Sequence, residues 1–377
     1  MSLSLTWHTD IADVAGAWRK IESFNNHSSA SQSHAAARLW YDRFAKAGSV
    51  LVLGLYERDQ CLGLYPLVAT KKYGVRIPRT LFNGAPCFHS APVVRAGRET
   101  EFAIGLLGAL SAHFSRWDVL KIFYLSSYDP FARALTQVLP QAFGTNYILE
   151  SKPLYCVDLN QAFDDYYRNA LSAGTRKSLR RTNNRLEEVG CEYFFSHDFD
   201  ALGLWKDFLA LEESGWKGEQ RKFALRRNPG VLSYYDEFVR ILADYKGLLL
   251  GGLVMQNKLA AMSFGYFDKN IYHDHRTAYD ETFKAYSPST MLSLALTRYL
   301  MSRDGKPTIM NQSFGDFGYK HRFAHARYSA DTYRIISPNS KMRYLFSAYR
   351  RRISFTNWVK KIAARQGSQP ARPGASA

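Results

Sequence analysis

Two segments carry residue types suited to chemistry. AYSPSTML (285–292) passes from a strand-like run directly into a helix-like one. Ser287 or Ser289 can cap that helix, Pro288 suits its first turn, and Thr290 follows. Free backbone N–H groups and the positive end of the helix dipole make such a start a binding point for phosphate. The phosphate would be the pyrophosphate of coenzyme A or a phosphate of a tRNA end. An ordinary capped helix has the same signature.

The second segment, NQSFGDFGYKHRF (311–323), follows a buried strand and mixes small, acidic, aromatic and basic residues. Lys320 can stabilise negative charge on a carbonyl oxygen or a leaving phosphate. Asp316 can orient a nucleophile, or act as a base if burial raises its pKa. A loop held by a Lys–Asp pair would carry the same residues.

Strand IYHDHR (271–276) alternates, with Tyr272, Asp274 and Arg276 on one face and His273 and His275 on the other. One face is expected to line a groove, where a histidine can accept an amine proton near neutral pH. His-x-His also suits a metal, but no third ligand lies nearby in the sequence, so none is expected. Trp216 and Lys217, just past a helix end, suit a lid or a stacking platform. In LSAGTRKSLRRTNNRLEE (171–188), Arg176 and Lys177 open a basic cluster whose positions 177, 181 and 185 share one stripe and can meet a phosphate-rich substrate.

The elements that position these residues repeat. LVLGLYERDQ–CLGLYPLV (51–68) and LLLGGLVMQN–KLAAMSFG (248–265) are matching hairpins. Each leads to a further strand, an amphipathic helix (100–117 and 287–305) and a buried strand (118–125 and 307–314). The chain therefore reads as a mixed α/β protein of two like halves. Its 377 residues suit two domains at about 100–200 residues each. The expected division is 1–150, 151–335 with the likely chemistry, and a basic amphipathic tail from 336 to 377 that reads as disordered from about residue 366.

The net charge is +17. Residues 341–377 hold nine Lys/Arg and no acid, which leaves the body moderately basic. Basic character suits nucleic acid, anionic membrane or phosphate-bearing ligands. The tail could lie on an anionic membrane surface. Four scattered cysteines, with no C-x-x-C pair, fit a reducing compartment and argue against a zinc ribbon. With no signal-like start and no long apolar run, a cytoplasmic location is expected, with peripheral contact at the inner membrane through the tail. There is no Walker loop, no G-x-S-x-G elbow and no strand-preceded G-x-G-x-x-G, so the NTPase, serine-hydrolase and Rossmann classes lack support.

Four blocks, in order and spacing, resemble the BioF2-like or CelD-like acetyltransferase family: LSAGTRKSLRRTNNRLEE, LEESGWKGE, SFGYFDKNIYHDHRTAYDETFKAYSPSTMLSLALTRYLMSRDG and FGDFGYKHRF. SASQSHAAARLWYDRFA and the first hairpin are similar to that family's opening. The resemblance implies tandem GNAT-like halves related to the FemAB aminoacyltransferases, and transfer of an acyl group, usually from acyl-CoA, onto an amine or sugar in exopolysaccharide or cell-envelope biosynthesis. Alternatives are a FemAB-like aminoacyl-tRNA-dependent transferase and a non-catalytic scaffold of a polysaccharide-export complex. In FemAB-like relatives a lysine in a closing Tyr/Phe-Lys-x-x-Phe motif stabilises charge near the reacting centre; here Tyr319-Lys320-His321-Arg322-Phe323 carries that role to Lys320. The family's closing block has two acids. Here the first is replaced, in the run Met310-Asn311-Gln312-Ser313-Phe314-Gly315-Asp316. SPST also stands where ordinary GNAT enzymes have Q/R-x-x-G-x-G/A.

The implied chemistry is direct attack by the acceptor on the donor carbonyl. Main-chain groups of 271–276 and Lys320 would stabilise the oxyanion, and His273, His275 or Asp316 would take the proton. Ser287, Pro288, Ser289, Thr290, Tyr272 and Arg276 are the candidates for the donor, and Trp216, Lys217, Arg176, Lys177 and Tyr319 for the acceptor.

Overall fold

The computed structural model describes residues 3–25, 29–81, 90–113, 116–197, 202–215, 218, 224–314 and 320–344. Its strands are β1 (Leu3–His8), β2 (Val50–Glu57), β3 (Gln60–Lys72), β4 (Val75–Thr80), β5 (Val93–Val94), β6 (Val119–Ser126), β7 (Tyr147–Asp158), β8 (Cys191–Ser196), β9 (Leu248–Met255), β10 (Lys258–Asp268), β11 (Ile271–Tyr279), β12 (Ile309–Phe314) and β13 (His325–Ile336). Its α-helices are α1 (Ala15–Phe24), α2 (His34–Phe44), α3 (Glu99–Ala112), α4 (Pro130–Phe143), α5 (Phe163–Asn169), α6 (Ala173–Val189), α7 (Leu202–Ser214), α8 (Pro229–Asp244) and α9 (Pro288–Ser302).

All strands join one sheet in the order β1-β2-β3-β4-β6-β13-β7-β12-β11-β10-β9-β8, with β5 on β3. Neighbours are antiparallel except β4 with β6 and β11 with β12. Each parallel pair needs a crossover, and a helix supplies it: α3 in the first half, α9 in the second. This is the repeat expected from the two hairpins. The β9–β10 turn follows the sequence closely, since Gln256 and Asn257 both take positive φ (51° and 58°), the geometry of a two-residue hairpin.

The halves are interleaved. β13 leaves the second half and lies between β6 and β7, pairing Tyr333 with both Ile122 and Leu149. β7 in turn pairs with β12, Met310 opposite Val157. The boundary expected at residue 150 thus lies inside β7. A further strand, β4, forms on the turn at Tyr73-Gly74, where both φ are positive. The expected strand in 79–94 is reduced to the two residues of β5, with 82–89 outside the described residues.

Three large cores and a small cluster of Tyr128, Leu154, Cys156 and Ala330 hold the sheet among the described residues. On one face a single core spans both halves, with Trp18 and Trp40 from α1 and α2 joined to Phe208, Tyr234, Tyr235 and Phe238 from α7 and α8. On the other face α3 and α4 cover the first half, and α5, α6 and α9 the second. α6 starts where Ser172 Oγ accepts from Thr175 N at 3.1 Å and ends at Gly190, φ 72°. None of the described helices is long and apolar enough to cross a membrane. The basic amphipathic stretch expected in the tail lies beyond the described residues from 345 on.

Candidate functional site

β11 and β12 pair at only three positions: Ile271 with Ile309, Tyr272 with Met310 and His273 with Asn311. β11 then continues along β10, while β12 continues along β7. Beyond His273 and Asn311 the two strands part. The ends that part are the C-terminal ends, where β11 leads through residues 281–286 into α9. Backbone groups facing the gap have no ladder partner across it.

Lys320 occupies this gap. Its Nζ donates to Ser313 O of β12 at 3.4 Å, and the Asp274 carboxylate of β11 acts on it electrostatically. Burial, which leaves Lys320 5% exposed, pulls its pKa down, and Asp274 works against that pull. A buried ammonium beside a carboxylate between two splayed strands can oppose charge growing on a carbonyl oxygen.

Asn311 sets the geometry of the gap. Its Oδ1 accepts from Ser313 N at 2.7 Å, which fixes the amide's orientation. Its Nδ2 then donates to Tyr128 Oη at 3.0 Å and to His273 Nδ1 at 3.4 Å. Ser313 takes φ 65°, a left-handed conformation that the short turn onto Asn311 supports and that presents its carbonyl to Lys320. With Nδ1 accepting, His273 carries its proton on Nε2. Its ring stacks on Tyr266, centroids 4.8 Å apart and planes 12° from parallel.

A bulge changes the expected alternation of β11. Phe264 pairs with Arg276 and Gly265 with Asp274, so His275 is the extra residue. Arg276 therefore leaves the face of Tyr272 and Asp274 and joins the histidine face. There it makes an ion pair with Glu212 at 2.7 Å and lies over the Tyr235 ring at 5.8 Å. Glu212, fully buried in α7, also accepts from Leu225 N at 2.9 Å. His275 is held by Tyr235, Oη to Nε2 at 2.8 Å, with Phe264 edge-on at 5.4 Å.

Two donor candidates are thus placed differently from expectation. Tyr272 is wholly buried, and its ring fills the space above Gly265, where a Cβ would come within 2.1 Å of the tyrosine Oη. Arg276 is committed to Glu212. The start of α9 is as expected in outline: Ser287 is the N-cap and Pro288 the first helical residue. Ser287 sits at φ 49°, its side chain makes no capping bond, and its carbonyl instead takes Thr290 N and Met291 N at 3.0 and 3.1 Å. Ser289 and Thr290 are half-buried beside it. With Pro288 lacking an N–H and Thr290 N and Met291 N turned onto Ser287 O, the Ser289 N–H and the Ser287 hydroxyl are the first-turn donors that fit a phosphate.

α6 reaches this point. Arg185 Nη2 donates to Ala285 O at 3.1 Å and its guanidinium lies over Tyr286 at 4.9 Å. Lys177 is exposed on the same helix. Arg176 is spent on structure, its Nη1 donating to Arg168 O and Leu171 O. Trp216, Lys217, Asp316 and Tyr319 lie outside the described residues. The reading of residue types passed over Asp274, Ser313 and Tyr128. Asp274 was visible as an acid within IYHDHR, and Asn311 as the residue at the replaced acid. Tyr128 reaches the site only through the fold. Among the described residues no group of three His, Cys, Asp or Glu side chains is arranged to hold a metal ion.

Residues 173–321 match the family described as acetyltransferase (GNAT) domain. No curated protein matches the chain in sequence. Among solved structures the chain is similar to FemX, at 10% identity and TM-score 0.57, over 89% of this chain and 97% of that one. It is also similar to L-PGS from Bacillus licheniformis, at 13% identity and TM-score 0.51, over 88% and 96%. Both likenesses are of fold. The repeat within the sheet and the domain match agree: the protein has two GNAT-like halves, the second of them carries the matched acetyltransferase (GNAT) domain, and the chain is an acyltransferase.

Proposed function

We propose that the protein is a GNAT N-acyltransferase of the BioF2-like or CelD-like kind that moves an acyl group from acyl-CoA, acetyl-CoA first, to an amine or amino-sugar acceptor in exopolysaccharide or cell-envelope biosynthesis. The observation that carries the reading is Lys320, buried at the parting ends of β11 and β12, where Asp274 acts on it electrostatically. The acceptor nitrogen attacks the acyl carbonyl; the N–C bond forms, the C–S bond breaks and the coenzyme leaves as its thiolate, which takes a proton from solvent. Lys320 opposes the charge that grows on the carbonyl oxygen. The nitrogen's proton goes to a carboxylate, Asp274 or Asp316, because the Nδ1 lone pair of His273 is held by Asn311 and Nε2 of His275 is engaged with Tyr235. The Ser289 N–H and the Ser287 hydroxyl at the start of α9 would hold the donor's phosphates. The reaction would run in the cytoplasm, with the basic tail making peripheral contact at the inner membrane.

The exposed stripe Lys177, Arg181 and Arg185, which leads along α6 to α9, favours a second reading: a charged tRNA as donor, with these residues on its phosphates. Thermal-shift titration with acetyl-CoA, longer acyl-CoAs and aminoacyl-tRNA separates the two, since a bound donor raises the unfolding temperature. Stabilisation by acyl-CoA at moderate salt supports the first reading. Stabilisation by aminoacyl-tRNA alone, lost as salt rises, replaces it with the second.

A further inference from the structure

A pocket of about 610 Å³, open to solvent along one side, lies on the flank of α9 and is walled by α5, α6 and the edge strand β8, with no lining residue from β11 or β12. Its volume falls in the range of small-molecule sites, about 300–1,000 Å³. The wall is apolar and aromatic: Phe163 and Tyr167 from α5, Leu179 from α6, Tyr193 and Phe195 from β8, Leu294 and Ala295 from α9. Phe195 is fixed by a parallel stack on Tyr299, centroids 4.4 Å apart. The rim is cationic. Arg180 and Arg298 stand at the mouth, both exposed, with Arg298 over the Phe163 ring at 4.4 Å; Asp164 is the single carboxylate among the lining residues.

We propose that this cavity takes one lipid bearing a phosphate headgroup, its hydrocarbon chain within the aromatic wall and its phosphate on Arg180 and Arg298. An apolar chamber with a guanidinium rim matches an amphiphile whose head is anionic, and guanidinium is the side-chain group best shaped for phosphate. The charge also argues against the chain's own residues 341–377 as the occupant, because they bring nine Lys/Arg and no acid to a rim already positive. Neither the acyl donor nor the acceptor of the proposed reaction is needed for this site, so it stands independently of that reading.

The probe is decyl phosphate below its micellar concentration, measured by calorimetry on the full chain beside decanol and inorganic phosphate. Wild type is expected to bind decyl phosphate at least about tenfold more tightly than either half-probe. Ala295→Trp, which fills the chamber, and Arg298→Glu, which reverses the rim, are each expected to weaken it about tenfold or more while the far-ultraviolet circular dichroism and the transfer rate stay unchanged. If one variant fails to fold, the other decides. The proposal is overturned if decyl phosphate binds equally to wild type and to the folded variant. It is overturned equally if inorganic phosphate binds as tightly as decyl phosphate, which would leave only an anion patch, or if decanol does, which would leave only a greasy pocket.

Discussion

Lys320 donates its ammonium to the carbonyl of Ser313 at 3.4 Å, and Ser313 can offer that carbonyl because its own N–H is tied to Asn311 Oδ1 at 2.7 Å. The lysine's position in the gap thus depends on a turn two residues past the last β11–β12 pair. Lys320→Ala is expected to lower kcat/KM for acyl transfer by about 10²–10³-fold, the usual effect of removing one oxyanion donor. Steady-state rates with a saturating donor check it.

The same lysine is expected to cost stability. Burial lowers its folded pKa, so the folded state disfavours the charged form. That cost is fully present below the folded pKa and is relieved as pH rises from there towards the unfolded value of 10.5. Lys320→Met should therefore raise the unfolding temperature at neutral pH, and the gain should shrink as pH rises through that window. Calorimetric scans across the alkaline range test this, and a fall in Tm would contradict it.

Asp274 works against the burial that lowers the Lys320 pKa. Asp274→Asn is expected to move the titration of Lys320 to lower pH. The pH dependence of its labelling by acetic anhydride, read by peptide mass spectrometry, reports this without relying on activity. An unchanged midpoint would separate the two residues.

Asn311 holds His273 by donating to its Nδ1. Asn311→Asp replaces that donor with a carboxylate, so the His273 imidazolium should persist to higher pH than in wild type. Imidazole nitrogen chemical shifts follow the change directly. An acid at this point would thus alter a histidine rather than simply add a base.

Glu212 and Arg276 form a pair whose carboxylate is wholly buried. Glu212→Gln is expected to destabilise the fold by about 3–5 kcal/mol, since it strands a buried guanidinium. The double change Glu212→Met, Arg276→Met should recover much of that loss. Denaturant midpoints of the three variants form the cycle that checks it.

Much of this architecture was legible in the sequence. The paired hairpins, α6, α9 and β12 follow from periodicity, because the spacing of apolar residues along each element is local whatever that face packs against. β7 and β13 were not: they pair with each other and with strands of both halves, Ile335 with Tyr147 for example, and local pattern carries no record of such distant partners. The site divided in the same way. Lys320 and the start of α9 announced themselves by residue type. The bulge at His275, which moved Arg276 across the sheet, and the positive φ of Ser313 arise from register and turn geometry set by neighbouring strands. Tyr128 reaches Asn311 from 183 residues away in the chain.

The central claim is that an acyl group leaves its thioester at the gap that holds Lys320. The most direct measurement is thiol release from acetyl-CoA with a panel of amine and amino-sugar acceptors, followed with a thiol reagent and by product mass. The expected result is acceptor-dependent release of free coenzyme A with one acetyl group gained per acceptor, and a rate about 10²–10³-fold lower for Lys320→Ala. Equal rates for wild type and Lys320→Ala, or no release from any acyl-CoA alongside transfer from aminoacyl-tRNA, would contradict it.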